Sequence, residues 1–124
     1  MGRSLSSRTA FHWIFNMKQL FINNTNTVSL VGLRSAVDDV FLNSGTGDVV
    51  INASAKVTNN NIAVAGSAIT LPYIAGTDGE YMANLPASLS LIEDQYYTIE
   101  VTVSDGTVTN NWNIPVIAKY RGEV

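Results

Sequence analysis

Apolar residues recur at every second position over several short stretches of the chain, and most of these stretches end in clusters of Asn, Asp, Ser or Gly. A period of two is the mark of strands that bury one face, so the pattern predicts a β-protein. The clearest strand is Tyr96–Ser104, in which Tyr97, Ile99, Val101 and Val103 form one apolar face. A first strand is expected over residues 27–34, with Val28, Leu30 and Gly32 on one side and Ser29, Val31 and Leu33 on the other. Further strands are expected at residues 40–42, 49–57, 62–65, 67–73, 80–85 and 107–118. Between them, Asn43-Ser44-Gly45-Thr46-Gly47, Asn59-Asn60-Asn61 and Gly76-Thr77-Asp78-Gly79 supply residues that tolerate left-handed backbone. Residues 87–94 read as a loop or a single helical turn. Asp105-Gly106, flanked by Ser104 and Thr107, is the signal for a two-residue hairpin. Pro115 has no N–H to give to a ladder, which places it at an edge, a bulge or the outward-facing side of its strand.

Composition sharpens this picture. Of 124 residues, 46% are hydrophobic and only 14% charged, against roughly 25% charged in an average domain, which implies one domain with a sizeable core. Val, Ile and Thr together make 34 residues and Asn, Ser and Thr make 35, favouring strands joined by polar turns. There is no cysteine and a single histidine, His12. That excludes a disulfide framework and a Cys-ligated metal site, and leaves imidazole chemistry without a second partner.

The net charge of −3 conceals two regions. Residues 1–18 carry Arg3, Arg8 and Lys18 and no acid, whereas residues 19–124 carry four basic and ten acidic side chains. A basic arm (1–26) therefore precedes an acidic body (27–120) and a short tail (121–124). The body lacks the cationic face that nucleic acid requires, so its expected partners are proteins or glycans. The arm is too short in apolar run, and interrupted at His12, to be a secretory signal. No stretch has the ~18 consecutive apolar residues of a membrane-spanning helix, and a membrane partner is not expected. Met17-Lys18 offers a second possible start, and the sequence leaves both starts open. Phe11, Trp13, Ile14, Phe15, Leu20, Phe21 and Ile22 give the arm more large apolar groups than suit water, so it must dock, either on its own body or on a neighbouring subunit.

Asp39-Val40-Phe41-Leu42-Asn43, Ile74-Ala75-Gly76-Thr77-Asp78-Gly79-Glu80-Tyr81, Leu85-Pro86, Leu89-Ser90-Leu91, Tyr97-Thr98-Ile99-Glu100-Val101-Thr102-Val103 and Trp112-Asn113-Ile114-Pro115-Val116-Ile117-Ala118 resemble a recurring small Ig-like protein of tailed phages and prophages. The resemblance spans about residues 28–118. It implies an all-β, antiparallel Ig-like or transthyretin-like sandwich of about seven or eight strands. It also implies an accessory virion component of head, neck or tail, whose partners are capsid, portal or tail subunits and further copies of itself. No catalytic residue or cofactor comes with it.

Candidate chemistry is sparse. A Ser-His-Asp arrangement would have to recruit His12 from the arm, and no G-x-S-x-G elbow exists. The carboxylates Asp38, Asp39, Asp78, Glu80, Glu93 and Asp94 lie mostly at expected turns, where an Asp side chain commonly bonds its own backbone. The same loops could assemble calcium ligands, although no D-x-D-x-D-G run is present. Gly45-Thr46-Gly47 lacks the G-K-[ST] ending and the helix of a phosphate loop. Trp112 and the tyrosines could stack on sugars if several shared an exposed face, but Trp112, Tyr81 and Tyr97 are expected in the core. Arg3, Arg8 and Lys18, interleaved with Phe11 and Trp13, form only a thin basis for strand binding. Two function classes remain: a non-enzymatic virion protein docking through its arm and sandwich surface, and a recognition module that binds a cell-surface glycan through loops at one end.

Overall fold

A computed structural model describes residues 11–14, 18–35, 40–45 and 49–121, the first of these by backbone alone. Every regular element among the described residues is a strand: β1 (Phe11–Ile14), β2 (Gln19–Phe21), β3 (Asn26–Ser35), β4 (Asn52–Asn59), β5 (Ile62–Ala63), β6 (Ile69–Thr70), β7 (Tyr81–Leu85), β8 (Tyr96–Ser104) and β9 (Thr109–Lys119). They form a three-stranded sheet in the order β1-β3-β7 and a six-stranded sheet in the order β2-β9-β8-β4-β5, with β6 also paired to β4. All pairings are antiparallel except that of β2 with β9, which is parallel.

One core lies between the sheets. β8 sends Tyr97, Ile99, Val101 and Val103 inward, as its alternation requires, and all four are buried. They meet Ala53, Ala55 and Val57 of β4, Val28, Leu30 and Leu33 of β3, and Tyr81 and Leu85 of β7. Each fully buried aliphatic side chain of this kind contributes about 1.5–3 kcal/mol.

The first strand departs from simple alternation. Val31 is exposed and Leu33 buried, so they do not share a face. Gly32 takes φ +74°, and the β1–β3 register slips between His12↔Arg34 and Ile14↔Val31. This bulge inserts one residue and returns Leu33 to the core side. Gly79 sits directly on the bulge: its carbonyl accepts the Leu33 N–H at 2.9 Å. A Cβ on Gly79 would lie 2.4 Å from Leu33 O, so only glycine fits here.

Other boundaries also move. Residues 40–42 make a single bridge, Arg34↔Phe41, rather than a strand. The strand expected at 49–57 runs Asn52–Asn59, because the segment before it is bonded to the 43–45 turn: Gly45 N–H reaches Val49 O and Ile51 N–H reaches Ser44 Oγ. Residues 62–65 and 67–73 shrink to β5, β6 and a bridge at Tyr73↔Tyr81. Residues 87–94 form a loop with no helical turn. Asn60 and Asn61 turn β4 into β5 with φ +51° and +66°, as expected of an asparagine turn. The β8–β9 turn instead shifts by one residue: Asp105 faces Val108, and Gly106-Thr107 form its tip. Asp105 Oδ1 accepts both the Thr107 and Val108 N–H groups at 2.8 Å, which draws the side chain into the turn. Relative to the expected hairpin the register moves by two residues, so every side chain keeps its face.

Residues 19–22, assigned to the arm by sequence, are built into the body. β2 lies beside β9, with Ile117 N–H bonded to Lys18 O and Ile22 N–H to Lys119 O. Asn26, buried, clamps the turn that follows: its Oδ1 accepts the Phe21 N–H at 2.9 Å and its Nδ2 donates to Phe21 O and Asn24 O at 3.1 Å.

Candidate functional site: interaction surfaces

The seven arm residues expected to dock separate into groups. Leu20 and Ile22 are 0% and 4% exposed in the chain's own core and so cannot face another subunit. Phe21 is half-buried, with the Arg121 guanidinium 4.4 Å above its ring, which ties the chain's last described residue to β2. Phe11, Trp13 and Ile14 belong to β1, where Ile14 holds the register position across from Val31. Phe15 lies outside the described residues.

Among the described residues the carboxylates do not converge. Asp94 pairs with Lys119, Glu100 with Lys56 at 3.7 Å, and Asp105 caps its own turn. Asp38, Asp39 and Asp48 lie outside the described residues. Among the described residues no three His, Asp or Glu side chains gather into a metal-binding group. Thr46 and Gly47 of the glycine loop are also outside. No helix among the described residues is long and apolar enough to cross a membrane.

Tyr81 and Tyr97 are core residues, and Trp112 packs partly buried against the core. Tyr81 is the most connected of them: its hydroxyl donates to Leu42 O and accepts the Ser44 N–H at 3.0 Å, fastening residues 42–44 to the interior. Burial raises its phenol above the usual range, the Ser44 bond opposes this, and nearby Tyr73 adds to the rise. The Tyr97 hydroxyl accepts the Ile92 N–H at 2.9 Å, across the corner that leads into β8.

What distinguishes the surface is the contrast between the two outer faces. Apart from Tyr96 at the start of β8, which is 69% exposed, the outer face of the six-stranded sheet is largely short and polar: Asn52 and Ser54 on β4, Thr102 and Ser104 on β8, Thr109, Asn111 and Asn113 on β9. Thr102 Oγ1 donates to Asn111 Oδ1 at 2.6 Å across that face. An open hollow on this sheet is lined by Lys56, Thr70 and Glu100 together with Ala68 and Ile69. The outer face of the three-stranded sheet carries apolar groups instead. Val31, Phe41 and Met82 are 42%, 40% and 36% exposed. Met82 lies opposite Ser29 on the face that Val31 shares, and Phe41 covers Gly32. Alternation alone hid this group, because it placed Val31 with Leu33; a glycine inside a strand pattern was the available clue to the bulge.

Comparison with known proteins gave no matching family model, no similar curated protein and no similar solved structure.

Proposed function

We propose that the chain is a non-enzymatic, Ig-like docking protein, an accessory structural component of a tailed-phage particle that decorates the capsid or occupies the head–tail neck. The observation that carries the docking role is the exposed apolar group Val31, Phe41 and Met82 on the outer face of the three-stranded sheet. A cluster of large apolar side chains on an outer sheet face, bordered by the polar Thr27, Ser29 and Asn84, has the make-up of a protein contact with a polar rim. β1 lies at the edge of the same sheet, where Ile14 holds the register position across from Val31.

Two features support the Ig-like form. The N-terminal strand is split between sheets, β1 running antiparallel to β3 and β2 parallel to β9, while β3 pairs with β7 and β8 with both β4 and β9. The Tyr97 hydroxyl bond to the backbone upstream of β8 matches the tyrosine corner of such sandwiches, and Ile99 stands two residues on, where antibody domains have a cysteine. The virion role rests on the resemblance in sequence, and virion localisation follows from it.

The test is peptide mass spectrometry on purified particles, combined with complementation by Val31→Asp/Phe41→Asp. Incorporation of the unaltered chain, and its loss in a variant that still melts like the parent, are the expected results. Absence of the chain from well-covered particles would overturn the virion role. Normal incorporation of the double variant would overturn the docking face.

A further inference from the structure

Backbone direction alternates along β9. Ala118 bonds toward β8, its N–H to Gln95 O at 3.0 Å and its carbonyl from Asp94 N–H at 2.8 Å. Ile117 and Lys119 bond the other way, toward β2. The β8–β9 register runs without a shift from Tyr96↔Ile117 to Ser104↔Thr109, so the alternation extends through the whole strand. Thr109, Asn111, Asn113 and Pro115 therefore direct their backbone groups to the same side as Ile117. β2 reaches only Ile117, Ala118 and Lys119. Among the described residues no strand pairs with residues 109–115 on that side, which leaves the N–H groups of Thr109, Asn111 and Asn113 facing outward.

Exposed edges are ordinarily blunted by charge, proline, bulges or short length. β5 is two residues long, and the outer edge of β7 is taken up by Pro72 and Ile74 through Met82 N–H to Pro72 O and Ile74 N–H to Glu80 O. Over residues 109–114 the β9 edge has neither charge nor proline, and Pro115 blunts only the end next to β2. Residues 107–114 contain no charged side chain and no proline, and Pro115 stands where the open part ends.

We propose that β9 is the seam of a homodimer, in which a second copy of the chain adds its own β9 antiparallel to the first, with Asn111 opposite Asn111 across a two-fold axis. In this register Thr109 faces Asn113 of the other copy, and every outward N–H of the open stretch meets a carbonyl. Pro115 falls beyond the paired stretch. Moving the axis to Trp112 would set Pro115 opposite Thr109, with its ring carbon where the ladder needs a hydrogen. The absence of charge means that nothing repels an identical strand. The two large sheets then become one continuous sheet. This seam is separate from the apolar face of the small sheet and does not depend on a role in a virion.

Sedimentation velocity on the full chain tests it, with Asn111→Lys and Asn113→Pro as variants. The first sets two ammonium groups opposite each other at the axis, and the second removes a donor as Pro115 already does. The unaltered chain is expected to sediment as a dimer. Both variants should weaken its dissociation constant at least tenfold while retaining the parent's far-UV circular dichroism. In a chain without cysteine, Asn111→Cys should be joined into a dimer by a short bis-maleimide, and Ala87→Cys should not. A monomer at millimolar concentration, a dimer unaffected by both edge variants, or a dimer in which Asn111→Cys fails to cross-link would each overturn the proposal.

Discussion

Gly76→Ala and Gly79→Ala place the same methyl group on two glycines of one turn, and comparing them isolates a single close approach. Both glycines have left-handed backbone, φ +86° and +71°, so each substitution carries a conformational cost of about 1–2 kcal/mol. Beyond that the two sites differ. Nothing lies within 4 Å of a Cβ on Gly76, whereas a Cβ on Gly79 would lie 2.4 Å from Leu33 O and 2.5 Å from Leu33 N. Carbon needs roughly 1 Å more than this to reach comfortable contact. The atoms that must yield are backbone atoms of the β3 bulge, and they also form the 2.9 Å bond from Leu33 N–H to Gly79 O. Breaking that buried bond leaves both groups unsatisfied, at about 1–3 kcal/mol. Gly79→Ala should therefore cost about 2–5 kcal/mol and Gly76→Ala about 1–2 kcal/mol. Urea unfolding followed by circular dichroism, with the slope unchanged, measures the difference. At about 4 °C per kcal/mol for a chain of this size, the two melting temperatures should lie about 4–12 °C apart. Variants that agree to within about 0.5 kcal/mol would refute the close packing of Gly79 on the bulge.

Tyr81→Phe should lose about 1–3 kcal/mol, because Leu42 O and the Ser44 N–H both lose a buried partner; chemical denaturation measures it. The same residue makes stability pH-dependent. Its phenol is raised in the folded state, chiefly by burial, so the unfolded chain releases the proton first. The contribution is complete below about pH 10 and falls as pH rises above it. Unfolding midpoints in the alkaline range should thus decline less steeply in Tyr81→Phe than in the parent. Asn26→Ala should cost about 2–3 kcal/mol by leaving the Phe21 backbone groups without their side-chain partner, and limited proteolysis should then cut first near residues 21–26. Lys56→Ala, breaking an exposed pair with Glu100, should change stability by no more than about 0.5 kcal/mol in the same unfolding assay.

Alternation made β7, β8 and β9 legible from the sequence. β8 matches its expected bounds because Tyr97, Ile99, Val101 and Val103 make one face apolar, and β7 and β9 lie within one or two residues of theirs. Pro115 also lies as its chemistry requires, with its missing donor toward the unpaired side of β9. What alternation could not carry was anything set by a single backbone conformation or by partners distant in the chain. The bulge at Gly32 reverses the phase of β3 after Val31, and with it the identity of the apolar outer face. Leu20 and Ile22 read as surplus hydrophobic groups of an arm, because the strand that covers them, β9, lies almost a hundred residues downstream. The turn at Asp105 shifted because its carboxylate captured two N–H groups, which a dipeptide rule does not weigh. The part of β9 left unpaired among the described residues depends on where β2 begins, and that is a property of pairing rather than of pattern.

The parallel pairing of β2 with β9 also decides how this chain would bear mechanical load. Pulling Lys18 backward and Arg121 forward draws the two strands past each other along their length. The bonds Ile117 N–H to Lys18 O and Ile22 N–H to Lys119 O are then strained together in shear, instead of opening one after another as in a peeled hairpin. Tension applied at Lys18 and Arg121 would run straight into this clamp, whereas a neighbour attached before residue 11 would load the β1–β3 pairing first.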